Sequence, residues 1–216
     1  ATHGGISVGE DGVTHQCVED IAMMRALPHT TVIVPTDGIE TKEAVKASVE
    51  WPGPVYMRLG RPAIPLVYEE GYKFDGRTLK FKVGEAVKLN EGKDVTIIAT
   101  GMMVSEALTA ATSLAKEGIG ASVMNIHTIK PLDEFAIVKT AKETGAVVTA
   151  EEHNILGGLG GAVAEVLVEN VQVPMIRVGI RDAFGESGTT SELLMKYGLT
   201  ASDIIAASKR VLKMKR

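Results

Sequence analysis

The sequence predicts an α/β protein of two units, and three observations carry that reading. Short β-branched runs alternate with stretches whose apolar residues recur at helical spacing. Glycine stands where such stretches end, as at Gly118 and Gly145. Between the two halves, Gly60 to Arg77 holds Pro62, Pro65, Gly71 and Gly76 with no sustained period. Alternating strand and helix implies mostly parallel strands covered by helices. A boundary near Glu70 divides the chain into residues 1–69 and 70–216.

The first unit opens on a polar, glycine-rich loop. Val18 to Leu27 follows as a helix, with Ile21, Met24 and Leu27 on one stripe and Pro28 as its stop. Thr30 to Val34 is a β-branched strand closed by Pro35. Thr36 or Asp37 can cap a helix over Gly38 to Glu50. Pro54 to Leu59 is a second strand.

In the second unit, Lys80 to Leu89 and Asp94 to Thr100 read as strands around the turn Asn90-Glu91-Gly92-Lys93. Ser105 to Glu117 is an amphipathic helix with Ala107, Leu108, Ala111 and Leu114 on one face. Ala121 to Ile126 is a strand, and Leu132-Asp133 opens a helix to Thr144. Ala146 to Ala150 and Pro174 to Val178 are strands flanking a helix over Gly161 to Glu169. Thr190 to Tyr197 and Ser202 to Lys213 are helices. The unit therefore has about five strands.

Composition narrows the function classes. Of 216 residues, 45% are apolar and 23% charged, which suits a soluble globular protein. A net charge of −4 offers no basic footprint for nucleic acid or an anionic membrane. No run is long and apolar enough to span a bilayer. The single Cys17 excludes an internal disulfide and fits a reducing cytoplasm, as a small semi-buried side chain at a helix start. The chain opens inside a motif without an initiator Met, so a fragment, a processed chain or the latter part of a longer enzyme is expected.

That opening, Thr2 to Gln16, packs His3, His15, the adjacent carboxylates Glu10 and Asp11, and four glycines into one segment. Glycines let backbone approach a ligand closely. Histidines move protons near neutral pH, and a carboxylate can hold a hydroxyl. From residue types alone the segment reads equally as a surface loop and as a small-molecule site. His29, between Pro28 and a strand, suits a turn. Glu151 to Asn154 with Gly157 to Gly161 lies between a strand and a helix and resembles an anion-binding loop, but its glycines miss the dinucleotide order. A structural role is favoured there over a nicotinamide site. His127 and Lys130 border a turn without convergent metal ligands, and Asp182, Glu186 and Ser187 belong to a polar loop.

Gly9-Glu10-Asp11-Gly12-Val13-Thr14-His15-Gln16 resembles the Gly-Glu-Asp-Gly-Pro-Thr-His-Gln signature of transketolases, with Val13 in place of proline. His3 is similar to the histidine of the family's preceding segment. Ala26 to Gly38, His127 to Asp133 and Phe184 to Gly188 extend the resemblance over the whole chain. It implies the latter part of a pyrimidine-binding α/β domain followed by a three-layer transketolase C-terminal domain. It also implies transfer of a two-carbon ketol unit between sugar phosphates. By the resemblance, His3 contacts the substrate's phosphate end and His15 the reacting carbonyl and hydroxyls, both aiding proton movement. Asp11 binds a hydroxyl and Arg61 the phosphate. Gly60-Arg61-Pro62 departs from the family's Ser-Arg-Gln on both sides, and Arg58 is the other arginine that can face the site. Glu10 is given a structural or interface role.

The resemblance further implies thiamine diphosphate and Mg²⁺ in the complete enzyme. The family's Gly-Asp-Gly diphosphate motif is absent from this sequence. The activating glutamate would precede Ala1. No cofactor is therefore expected on this chain alone. The implied partners are an N-terminal portion or subunit and a second copy held through the C-terminal domain. Deoxyxylulose-phosphate synthase, which shares the architecture, is the enzymatic alternative. A non-catalytic dimerisation or regulatory fragment is the other.

Overall fold

Two sheets and a small hairpin organise the chain, and the smaller, three-stranded sheet is built from both halves of the sequence. The computed structural model describes residues 1–215. After a single 3-10 turn at Gly9–Asp11 come α1 (Asp20–Ala26), β1 (Thr31–Ile33), α2 (Gly38–Glu50), β2 (Val55–Met57), β3 (Lys73–Phe74) and β4 (Arg77–Thr78). The second half runs β5 (Val87–Asn90), β6 (Val95–Ala99), α3 (Met103–Lys116), β7 (Ala121–Asn125), β8 (Thr128–Lys130) and α4 (Glu134–Thr144). It closes with β9 (Val147–Asn154), α5 (Leu159–Asn170), β10 (Met175–Ile180), α6 (Thr190–Lys196) and α7 (Ala201–Leu212).

The larger sheet has the order β10-β9-β6-β7-β5 and is parallel except where β5 meets β7. Successive side chains of a strand point to opposite faces. Val95, Ile97 and Ala99 of β6 pack with Met103, Ala107 and Ala111 of α3 and Ile204 and Val211 of α7. Their neighbour Ile98 packs with Ile137 and Ala141 of α4 and with Leu159 and Val163 of α5. Thr96 shares that second face, where its hydroxyl lies 2.8 Å from that of Thr144. Helices cover both faces, so the unit has the three layers expected.

In the smaller sheet β1 pairs parallel with β2 on one side and antiparallel with β8 on the other. The sequence suggests only a turn at β8, because three residues are too few to show a period. Lys80 to Leu89 is strand only from Val87; Gly84, at φ 85, turns the chain first. Glu151 to Asn154, expected as a loop, continues β9 and is buried throughout.

The connecting stretch is likewise held tightly. Tyr68 and Tyr72 are buried, and β3–β4 forms a hairpin. Asp37 caps α2 by accepting from Glu40 N at 2.9 Å, while its other oxygen accepts from Val67 N and Tyr68 N. Glu40, fully buried, accepts from Thr36 N, Asn125 Nδ2 and the Tyr72 hydroxyl. It joins α2, the connecting stretch and β7 at one carboxylate. Burial pushes its pKa up, against those donors.

Glu40→Ala leaves these donors short of an acceptor and is expected to cost about 3 kcal/mol in urea denaturation. Because the folded-state pKa is raised, the wild-type contribution is full below the ordinary carboxylate value and declines as pH rises. The difference between wild type and variant should therefore shrink between acid and neutral pH. A difference that grows with pH would contradict the assignment.

Candidate functional site

The opening loop is laid on a buried charged floor. Gly4 N donates to Leu59 O and Gly5 N to Cys17 O, so the loop's two ends meet. Ser7 N donates to Glu152 Oε1 at 2.6 Å. Gly5 has φ 84, and a Cβ there would collide with the Glu152 carboxylate. A Cβ on Gly4 would collide with Arg58. These two glycines are required by close approach as well as by turning.

Arg58 is the centre of that floor. Its Nε pairs with Asp20 Oδ2 at 2.8 Å, with both side chains 5% exposed. Its Nη2 donates to Cys17 O and Glu152 O. Tyr56 donates to the same Asp20 oxygen. Burial works against the Arg58 charge, but Asp20 and Glu152 hold its pKa above the ordinary value. Burial raises the Glu152 pKa, with Arg58 opposing. Burial and Arg58 lower that of the adjacent His153. Arg58 is thus committed to the interior, and Arg61 is the arginine left facing solvent.

Arg61 and Asp11, fifty positions apart, come together. Their side chains pair at 2.8 Å and are 48% and 33% exposed. Arg61 also donates to Val8 O. His15 is exposed, with Nδ1 3.0 Å from the Thr14 hydroxyl. His3 is half-buried at φ 67, with Nδ1 2.9 Å from the Thr2 hydroxyl. The histidines stand at the loop's two ends, where Gly4 and Gly5 bridge to Cys17. A cleft of about 650 Å³ runs from Arg61 and Glu10 past Ser7 and Ile64 to Met102 and Thr190.

The second unit also buttresses the loop from the side. Gln16 Nε2 donates to Ile6 O and Glu186 O, and the Thr190 hydroxyl donates to Ser7 O. A side chain at Gly185 would occupy the place of Gln16 Oε1. The segment Phe184 to Gly188, expected only as part of a polar loop, therefore also supports the opening loop. Sequence reasoning missed Glu152, Gln16 and Thr190 as supports; the paired glycines at 4–5 and Gly185 were the available signal.

Glu151 answers the anion-loop question. Its carboxylate accepts from Leu159 N at 2.7 Å and Gly160 N at 2.8 Å, so the chain itself fills the α5 N-terminus. Burial pushes its pKa up to about 7, opposed by those two N–H groups. His29, exposed at φ 60, is in a turn as expected. Cys17 is half-buried, but it lies in the bridge to Gly4 and Gly5, before α1 begins.

Comparison with known proteins decides the family. The family model described as transketolase, pyrimidine binding domain matches residues 1–66, and that of the transketolase C-terminal domain matches residues 84–204. The chain belongs to the transketolase family. It is 48% identical to the 6-deoxy-6-sulfo-D-fructose transketolase subunit SqwH of Clostridium sp. (strain MSTE9), over 98% of this chain and 63% of that one. It is 40% identical to an apulose-4-phosphate transketolase subunit of Phocaeicola vulgatus, over 97% of this chain and 65% of that one. A 1-deoxy-D-xylulose-5-phosphate synthase of Heliobacterium modesticaldum matches at 39% identity over 31% of its own length. Among solved structures, a split gene transketolase described as an inactive beta4 tetramer superposes with TM-score 0.91 at 48% identity, covering all of this chain and 67% of that one. This chain thus spans less than two thirds of the curated transketolase subunits it matches.

Proposed function

We propose that this chain supplies the pyrimidine-binding and C-terminal portion, divided near residue 69, of a thiamine-diphosphate-dependent transketolase. The complete enzyme transfers a two-carbon ketol unit from a ketose phosphate to an aldose phosphate. The observation that carries this reading is the 2.8 Å pair between Arg61 and Asp11, the latter on a loop whose ends bear His3 and His15. A polyol with an anionic terminus needs such a set: an acceptor for hydroxyls, ring nitrogens that give or take protons, and a fixed cation.

In this reading Asp11 binds a substrate hydroxyl. His15 sits at the reacting carbonyl and His3 towards the anionic end, and both hold and move protons. Arg61 binds the anionic terminus. The matched subunits are described as acting on sulfo- and phosphosugars, which share such a terminus. Thiamine diphosphate supplies the carbanion stabilisation when bound. With no Gly-Asp-Gly motif here, it and Mg²⁺ belong with the N-terminal portion or subunit. Pairing with that partner, self-association through the C-terminal domain and a cytoplasmic location complete the proposal. Among the described residues no helix is long and apolar enough to cross a membrane.

Arg61→Ala tests the anion role in the complete enzyme. Loss of a charged hydrogen bond should raise KM for phosphorylated substrates roughly 10- to 100-fold. KM for unphosphorylated analogues should stay near wild type. Equal losses on both substrates would remove Arg61 from the anion site.

A further inference from the structure

We propose that Glu152 is a positioning residue for this site, acting through the loop that carries His3, Asp11 and His15. The proposal rests on the functional reading above. Glu152 belongs to β9 of the second unit and is only 5% exposed. It lies beneath the loop and is placed to hold the loop's backbone.

Several contacts converge on it. Its Oε1 accepts from Ser7 N at 2.6 Å, and Ser7 stands between His3 and Asp11 in the chain. Gly5 passes so close to the carboxylate that no side chain fits between them. The backbone oxygen of Glu152 accepts from Arg58 Nη2 at 3.0 Å, and the same Nη2 donates to Cys17 O at 3.2 Å. The entering limb of the loop, Gly4 to Ser7, and its exit at Cys17 thus rest on one pair of residues. The Ser7 backbone N–H is the donor that holds Glu152 to the loop. Within the loop, the Gly9 N to Ile6 O and Gly12 N to Gly9 O bonds pass that position on to Asp11. A carboxylate makes this N–H bond short and strong, and fixes where the polar groups above it stand.

The test uses the complete enzyme, with the N-terminal portion or subunit present. Glu152→Ala should lower kcat for ketol transfer roughly 10²-fold, the effect of misplacing reacting groups by about an ångström. Donor KM should rise as well, because Asp11 and His3 stand on the same loop. Glu152→Gln keeps an amide oxygen for Ser7 N and should restore kcat to within about threefold of wild type. If the alanine variant does not fold, Glu152→Asp, one methylene short, should show the same fall in kcat at a nearly normal Tm. Combining either with His15→Ala should add little to the His15→Ala loss, since both act on one arrangement. A fall in Tm with kcat unchanged, or additive losses with His15→Ala, would overturn the positioning role while leaving the functional reading intact. Wild-type enzyme without ketol transfer would overturn the functional reading, and this proposal with it.

Discussion

Arg58→Met is expected to destabilise the chain by about 3–5 kcal/mol. The ion pair it breaks is buried, with Arg58 and Asp20 each 5% exposed. Removing the guanidinium leaves the Asp20 carboxylate with the Tyr56 hydroxyl as its remaining side-chain donor. It also leaves the carbonyls of Cys17 and Glu152 without Arg58. Deleting one partner of a buried pair costs far more than the pair is worth, because the other charge stays desolvated. A loss of this size is a large share of the ~5–15 kcal/mol that holds a typical domain together. Adding Asp20→Asn should recover part of it by removing the stranded charge. Urea denaturation reads both variants. A loss below about 1 kcal/mol would mean that water reaches Asp20 as it reaches surface pairs.

His15→Ala should show the opposite profile. The ring is exposed and its side-chain partner is the neighbouring Thr14 hydroxyl, so stability should move by no more than about 0.5 kcal/mol. In the complete enzyme, kcat should fall roughly 10²- to 10⁴-fold, the usual range for a lost acid–base group. Steady-state kinetics beside urea denaturation separates the two effects. Unchanged turnover would move the chemistry away from this loop.

The layers of the second unit were legible because their pattern is local. Val95, Ile97 and Ala99 face one set of helices and Ile98 the other, as alternation requires. Two kinds of element were not. Strands β3, β4 and β8 hold two or three residues each, too few to carry a period, and lack the unbroken β-branched run that marks β1. The end of β9 hid for a different reason. Glu151 and Glu152 look like surface residues, but Leu159 N and Gly160 N, eight and nine positions on, satisfy the first, and Ser7 N and Arg58, far away in the chain, hold the second.

The candidate site divides in the same way. Asp11 and His15 were picked out by one short motif and His3 by the segment before it. That Arg61 meets Asp11 while Arg58 turns inward depends on contacts across 38 to 50 positions. The support given to the loop by Glu152, Gln16 and Thr190 is also long-range. Only the tight glycines at 4, 5 and 185 signal it in the sequence.

The most direct test of the central claim is a mixing experiment. This chain is combined with the portion or subunit that carries the diphosphate motif and the activating glutamate. Thiamine diphosphate and Mg²⁺ are added, and ketol transfer from a ketose phosphate to an aldose phosphate is followed. The account predicts turnover in the mixture and none from either part alone. Tight association without ketol transfer, or turnover with pyruvate in place of the ketose phosphate, would contradict it.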